Sequence, residues 1–282
     1  MIDLGLDDLE VAEMLTRALS VIDGPVEDCW SEFLKEKDNT EESELVRLYE
    51  EMPAGPIDIT GVIAVGVETA RSCLNQISFI IQNPVPTSPV VLQTLLRAAL
   101  VGSARTLYVL LPTDPDERLE RAHKVVARDT ESGRQGLRQF AGFQGMRAFA
   151  APEDLVESMT NHRKELWPKG NPPGDGKIVE GMSAVMHDAL ELAGVGEELG
   201  HEFLTDHVTW LWNTYSGLAH GYFWPRLLPG LAEDDRRIPG DFPLDLHQIA
   251  TATHMALLAA LSRMAPGSTL TTETIPNNWP AN

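Results

Sequence analysis

The chain has 282 residues, of which 43% are hydrophobic, carries a formal net charge of −20 and contains two cysteines. That much apolar material can bury a large core in one domain or two. Cys29 and Cys73 lie too far apart in sequence for a metal-ligand spacing and make no disulfide framework, so free thiols in a reducing compartment are expected. The acidity argues against nucleic-acid binding through a broad basic surface.

The charge is unevenly spread. Residues 1–58 hold 17 acids and 4 bases, residues 59–150 hold 7 acids and 10 bases, and residues 151–282 hold 18 acids and 8 bases. The start, Met1-Ile2-Asp3-Leu4-Gly5-Leu6-Asp7-Asp8, lacks the basic and apolar regions of a secretory signal, which predicts a cytoplasmic protein. The weakly charged stretch 72–96 is broken by Asn75, Gln76, Gln82, Asn83, Pro84, Pro86 and Pro89, so no membrane span is expected there.

In chain order, residues 8–20, 25–37 and 41–51 read as three short amphipathic helices. Asp7 or Asp8 caps the first, Pro25 opens the second, and Asn39 with Glu42 gives a capping-box spacing for the third. Pro53-Ala54-Gly55-Pro56 ends this acidic N-terminal segment, residues 1–58, which is expected to pack on a main bundle spanning 59–265. Residues 60–83 form a long helix with a core line of Ile63, Val67, Ala70, Leu74, Ile77 and Ile81. A polar stripe on that helix, Glu68, Arg71, Asn75, Ser78 and Gln82, is flanked by apolar residues and is expected to be partly buried too.

Ser88-Pro89 is a strong helix start, and the helix to Leu111 is apolar on nearly every face apart from Arg97 and Arg105. No acid lies between Glu68 and Asp114, so any carboxylate for Arg71, Arg97 or Arg105 comes from elsewhere in the chain. Asp114-Pro115-Asp116-Glu117 opens a charged helix to about Phe140, weakened by Gly133 and Gly136. Further helices are expected at 153–167, 177–193, 197–224 and 244–265, with a loop at 168–176 and an irregular tail from 266 to 282. No alternating strand pattern or repeat is visible, so the fold class is all-α, a helical bundle.

The 210–224 stretch is apolar or aromatic all round except for a stripe of Asn213, Ser216 and His220, which predicts a buried polar line. Arginine stays protonated, and burying it unpaired is costly. Arg97 and Arg105 therefore belong either to a structural network with Glu68, Asp129, Asp188 or Asp206, or to a pocket with Arg71 and His220 that binds a phosphate or carboxylate. The ligand-binding candidates are Arg71, Arg97, Arg105, Asn213, Ser216 and His220. His220 and His123 are the candidate acid/base groups. A Ser216–His220 hydrogen bond is possible at a spacing of four, but no acid completes a hydrolase triad, and Walker and dinucleotide fingerprints are missing. Two Glu-x-x-His pairs, Glu120-His123 and Glu198-His201, match the spacing of di-iron bundles, but they point off the expected core, so no metal and no cofactor are expected.

The order Arg97…Arg105, Pro112…Asp116-Glu117-Arg118…Arg121, and Tyr215-Ser216…His220-Gly221 resembles a group of helical proteins common in actinobacteria, over residues 60–225. That resemblance implies an all-helical fold and no established activity. More distantly the helical arrangement is similar to HEPN domains, whose ribonucleases use an Arg-x(4–6)-His motif, a spacing that Arg118 and His123 have, with Leu119 in place of the usual polar residue. The function expected from these readings is non-catalytic binding of a small anionic ligand or a partner protein. The alternatives are a HEPN-like, metal-independent ribonuclease, for which RNA would be the partner, and a nucleic-acid mimic acting through residues 1–58. A homodimer is compatible with so apolar a bundle.

Overall fold

The computed structural model describes residues 9–36, 43–83, 85–141, 144–145, 151–192, 201–227 and 242–264. All regular structure among them is helical, which makes the fold all-α. The expected caps at Asp7, Asp8, Asn39 and Glu42 and the tail 266–282 lie outside the described residues.

The acidic N-terminus forms α1 (Leu9–Val21) and α2 (Glu27–Glu36), joined without a break by a π-helical turn over Ile22–Val26. The expected start of a new helix at Pro25 is therefore corrected. Pro25 has no N–H to donate, and a wider π turn lets the helix run past it. A third helix, α3 (Glu44–Glu51), is capped by Ser43, whose Oγ accepts from the Val46 N–H.

Asp58 caps α4 (Ile59–Gln82), accepting from the Gly61 N–H at 2.7 Å. The core line of α4 is buried as its periodicity predicts, except that Ile81 is only half-buried. Arg71, Asn75, Ser78 and Gln82 of its polar stripe face the N-terminal run, whereas Glu68 is exposed. Glu27 accepts from Arg71 through both carboxylate oxygens at 2.7 and 2.8 Å and from Asn75, while Asp23 accepts from Ser78 and Gln82. Two acids of the first segment, Asp23 and Glu27, thus answer the donors of α4.

The central helix is α5 (Pro89–Leu110), surrounded by α4, α6 (Pro115–Ala141), α8 (Asp175–Leu192), α9 (His201–Ala219) and α10 (Phe242–Met264). By length and composition α5 alone among the described helices is apolar enough to cross a membrane, and burial on several sides within the bundle accounts for that apolarity. The Ser103 and Thr253 hydroxyls bond each other at 2.8 Å between α5 and α10. α10 also packs along α1 and α2, and α7 (Glu153–Leu166) lies on α6.

The carbonyls at and just past the end of α5 are covered by arginines. Arg121 bonds Tyr108 O, Arg263 bonds Leu110 O and Pro112 O, and Arg118, only 4% exposed, bonds Pro112 O, Thr113 O and Glu44. Cations belong at the negative end of a helix dipole, where the last carbonyls lack intrahelical partners.

α4 and α5 form an antiparallel pair that crosses at two glycines. A Cβ on Gly102 would lie 2.2 Å from Gly66 O, and one on Gly66 would lie 3.0 Å from Gly102 O. Backbone on the facing helix cannot swing away as a side chain can. In α6 the two glycines differ: a Cβ on Gly133 would meet the tip of Met159 at 2.5 Å, whereas Gly136 has open space. Gly102→Ala is expected to lower stability by roughly 1–3 kcal/mol through overpacking, despite the ~1 kcal/mol gained in helix propensity. Gly136→Ala should raise it by about 0.5–1 kcal/mol. Urea unfolding of both variants checks the pair, and equal effects would contradict the crossing geometry.

A candidate ligand cleft beside the α4–α5 crossing

A cleft of about 480 Å³ runs along the α4–α5 pair. Its floor is made of Val62, Val65 and Gly66 from α4 with Ala98, Val101 and Gly102 from α5. Small residues at the crossing bring the two backbones together and leave the trough above them. Its charged lining is Asp58, Arg97, Arg105, Asp129 and Asp175.

Arg105 is structural. Its terminal nitrogens bond Asp129 at 3.1 Å and Asp175 at 2.8 Å, and Arg128 bonds the other Asp175 oxygen at 3.2 Å. Burial works against the Arg105 charge, but Asp175 and then Asp129 outweigh it and raise its pKa. Burial likewise opposes the Asp175 carboxylate, and Arg105 with Arg128 overcomes it, holding that carboxyl below its usual range. Of the acids proposed from sequence to neutralise this arginine, Asp129 does so. Asp175 was not foreseen, because Gly174-Asp175-Gly176 reads as loop although Asp175 is the first residue of α8.

Arg97 differs in kind. Its Nε donates to Ser216 Oγ at 2.7 Å, and its guanidinium carbon sits 4.5 Å from the centroid of the Trp212 ring. Trp212 and Ser216 are one turn apart on α9, so a single helix face both stacks on the guanidinium and fixes its Nε. None of the described carboxylates forms an ion pair with it. Burial pushes its pKa down, opposed by the more distant Asp175. Arginine does not deprotonate in response, so the site keeps a half-buried cation on the cleft that has no ion-pair partner among the described carboxylates.

The other candidates do not converge here. Arg71 is paired with Glu27 and stacked over Trp30, outside the cleft. Asn213 is exposed and bonds Thr209 O. His220 is exposed as well, its ring 5.9 Å from Tyr222. The expected buried line through Asn213, Ser216 and His220 is thereby corrected: Asn213 lies on an exposed face of α9, Ser216 is half-buried, and His220 falls beyond the helix, which stops at Ala219 rather than near Trp224. Gly221 adopts φ +70°, Tyr222 N–H bonds Gly217 O, and Gly221 N–H bonds Leu218 O, a Schellman termination that leaves His220 at the helix end. Glycine at that place followed by Pro225 was the available signal.

His123 is half-buried, its pKa lowered by burial and partly restored by a hydrogen bond to the Leu166 backbone. Glu120 pairs with Lys124 at 2.7 Å, while the Glu198 and His201 side chains, like that of Asp188, lie outside the described residues.

The loop that delivers Asp175 is pinned from α6. Glu131 accepts from Arg134 and from Arg163, and Arg163 also bonds the Trp167 and Gly170 carbonyls. The Arg134 hydrogen bonds, ahead of those from Gln135 and the Arg163 charge, lower the Glu131 pKa from 4.5 to about 2. A depressed carboxyl pKa stabilises the fold above the ordinary value, and that stability is lost as pH falls through the folded one. Glu131→Gln should cost on the order of 3 kcal/mol at neutral pH. Denaturant unfolding across pH should show its gap from the wild type closing as pH drops from 4.5 towards about 2; a gap independent of pH would contradict the assignment. No family model, curated protein or solved structure matches the chain, so the cleft's chemistry rests on its own residues.

Proposed function

We propose that the protein binds a small anionic ligand in the α4–α5 cleft, with Arg97 as its anchor, and that it acts by binding rather than by catalysis. The observation that carries this reading is the state of Arg97. Its guanidinium is oriented by Trp212 and Ser216, forms no ion pair with a described carboxylate, and lines a cleft of about 480 Å³. A carboxylate or phosphate oxygen pair matches the fork of the terminal guanidinium nitrogens, and an apolar body would cover Val65, which is 62% exposed in the free protein. The expected role of Arg105 in holding the ligand becomes a supporting one, since Asp129 and Asp175 occupy its donors.

Nothing in the geometry favours the ribonuclease alternative. Arg118, which would hold phosphate beside His123, is buried on Glu44 and the Pro112 and Thr113 carbonyls.

Thermal unfolding with a panel of carboxylates and phosphates tests the proposal. A ligand at 100 times its Kd adds about 2.7 kcal/mol, a rise of roughly 5–10 °C for a chain of this size. The shift should vanish in Arg97→Gln, whose own midpoint should stay close to the wild type. A shift that survives in Arg97→Gln, or an Arg97→Gln protein that fails to fold, would overturn the anchor role.

A further inference from the structure

The cleft's charges are arranged by sign along its length. Arg105, Arg128, Asp129 and Asp175 neutralise one another through three ion pairs. The lining charges left over are Arg97 and Asp58, and they are opposite. Asp58 uses Oδ1 to accept from Thr60 Oγ1 and the Gly61 N–H, and no described cation pairs with it. Asp129 likewise gives only Oδ1 to Arg105.

These groups stand on opposite sides of the glycine crossing. Asp58 precedes Gly66 by eight residues on α4, and Arg97 precedes Gly102 by five on the antiparallel α5. At about 1.5 Å per residue the two Cα atoms lie roughly 20 Å apart along the trough. Between them lie Val62, Val65, Ala98 and Val101. The site therefore has a cationic end, a middle lined by these apolar residues and by the mutually paired Arg105, Asp129 and Asp175, and an anionic end.

Resting on the reading of Arg97 as an anion anchor, we infer that the ligand is bipolar. A carboxylate or similar acid group sits on Arg97, a protonated amine or other cationic nitrogen sits between Asp58 and the outer oxygen of Asp129, and an extended apolar segment joins them. A simple fatty acid leaves the Asp58 end unanswered, and a compact amino acid spans neither the trough nor both charges.

Calorimetric titration of the full chain with ω-amino alkanoic acids of increasing length, and with alkanoic acids and alkylamines of matched length, tests this. Long ω-amino acids should bind roughly tenfold more tightly than the matched alkanoic acids, the usual worth of one charge-assisted hydrogen bond. That advantage should disappear in Asp58→Asn, which keeps the helix cap because asparagine caps as well as aspartate. It should shrink in Asp129→Asn, while Arg97→Gln should abolish binding of both acid series. Equal binding of the two acid series in the wild type would overturn the bipolar ligand and leave the anion anchor standing. Binding of acids that Arg97→Gln does not weaken would overturn both.

Discussion

The arrangement depends first on the contact between Gly66 and Gly102. At 2.2 Å from a carbonyl oxygen a Cβ on Gly102 has nowhere to go, and one on Gly66, at 3.0 Å, would need the facing backbone to give. Close approach gives these helices their long shared core through Val67, Ala70, Leu74 and Ile77 on α4 and Leu92, Leu96, Ala99 and Leu100 on α5. It also makes the cleft. Where two helices touch backbone to backbone, the glycines leave a groove, floored here by Val62, Val65 and Gly66 of α4 and by Ala98, Val101 and Gly102 of α5. The cleft is thus a by-product of packing, and its chemistry comes from what the neighbouring helices lay along it.

What they lay along it is mostly neutralised charge. The bundle buries many arginines, and nearly all have an evident purpose. Arg118, Arg121 and Arg263 cover carbonyls at the end of α5, Arg71 answers the acid of the N-terminal run, Arg163 ties down the loop before α8, and Arg105 joins α5 to α6 and α8. Removing one partner from any of these leaves a buried charge uncompensated, which costs several kcal/mol. Arg97 is held by Trp212 and Ser216, which are neutral, as are the carbonyls on the buried Arg263; of these two cations it is Arg97 that lines the cleft. Neutral holders fix a guanidinium without quenching its charge, which is the arrangement a ligand anchor requires.

Much of this was legible in the sequence where signals are local. The boundaries of α4, α5 and α6 follow from Ser88-Pro89, Asp114-Pro115 and unbroken apolar periodicity, and the polar stripe of α4 indicated partly buried donors before Asp23 and Glu27 were known as their acceptors. Arg97 and Arg105 could be singled out, because arginine in an apolar helix demands an explanation. They could not be separated. Arg105 finds Asp175 across 70 residues and Arg97 finds Ser216 across 119, distances over which sequence pattern carries no register. His220 was misplaced because the aromatic run continues past the point where Gly221 ends the helix, so hydrophobic pattern outweighed a C-terminal signal that was present. Asp58 was not singled out, since nothing local relates the residue before α4 to a cleft that α4 forms with α5.

The most direct test of the central claim is a crystal structure of the chain soaked with a long-chain carboxylate. The account predicts the carboxylate on the terminal nitrogens of Arg97, with Trp212 still stacked on the guanidinium, Ser216 still on Nε, and the alkyl chain lying over the Gly66–Gly102 crossing. A side chain of the protein itself paired with Arg97, or the carboxylate bound elsewhere with the cleft empty, would contradict it.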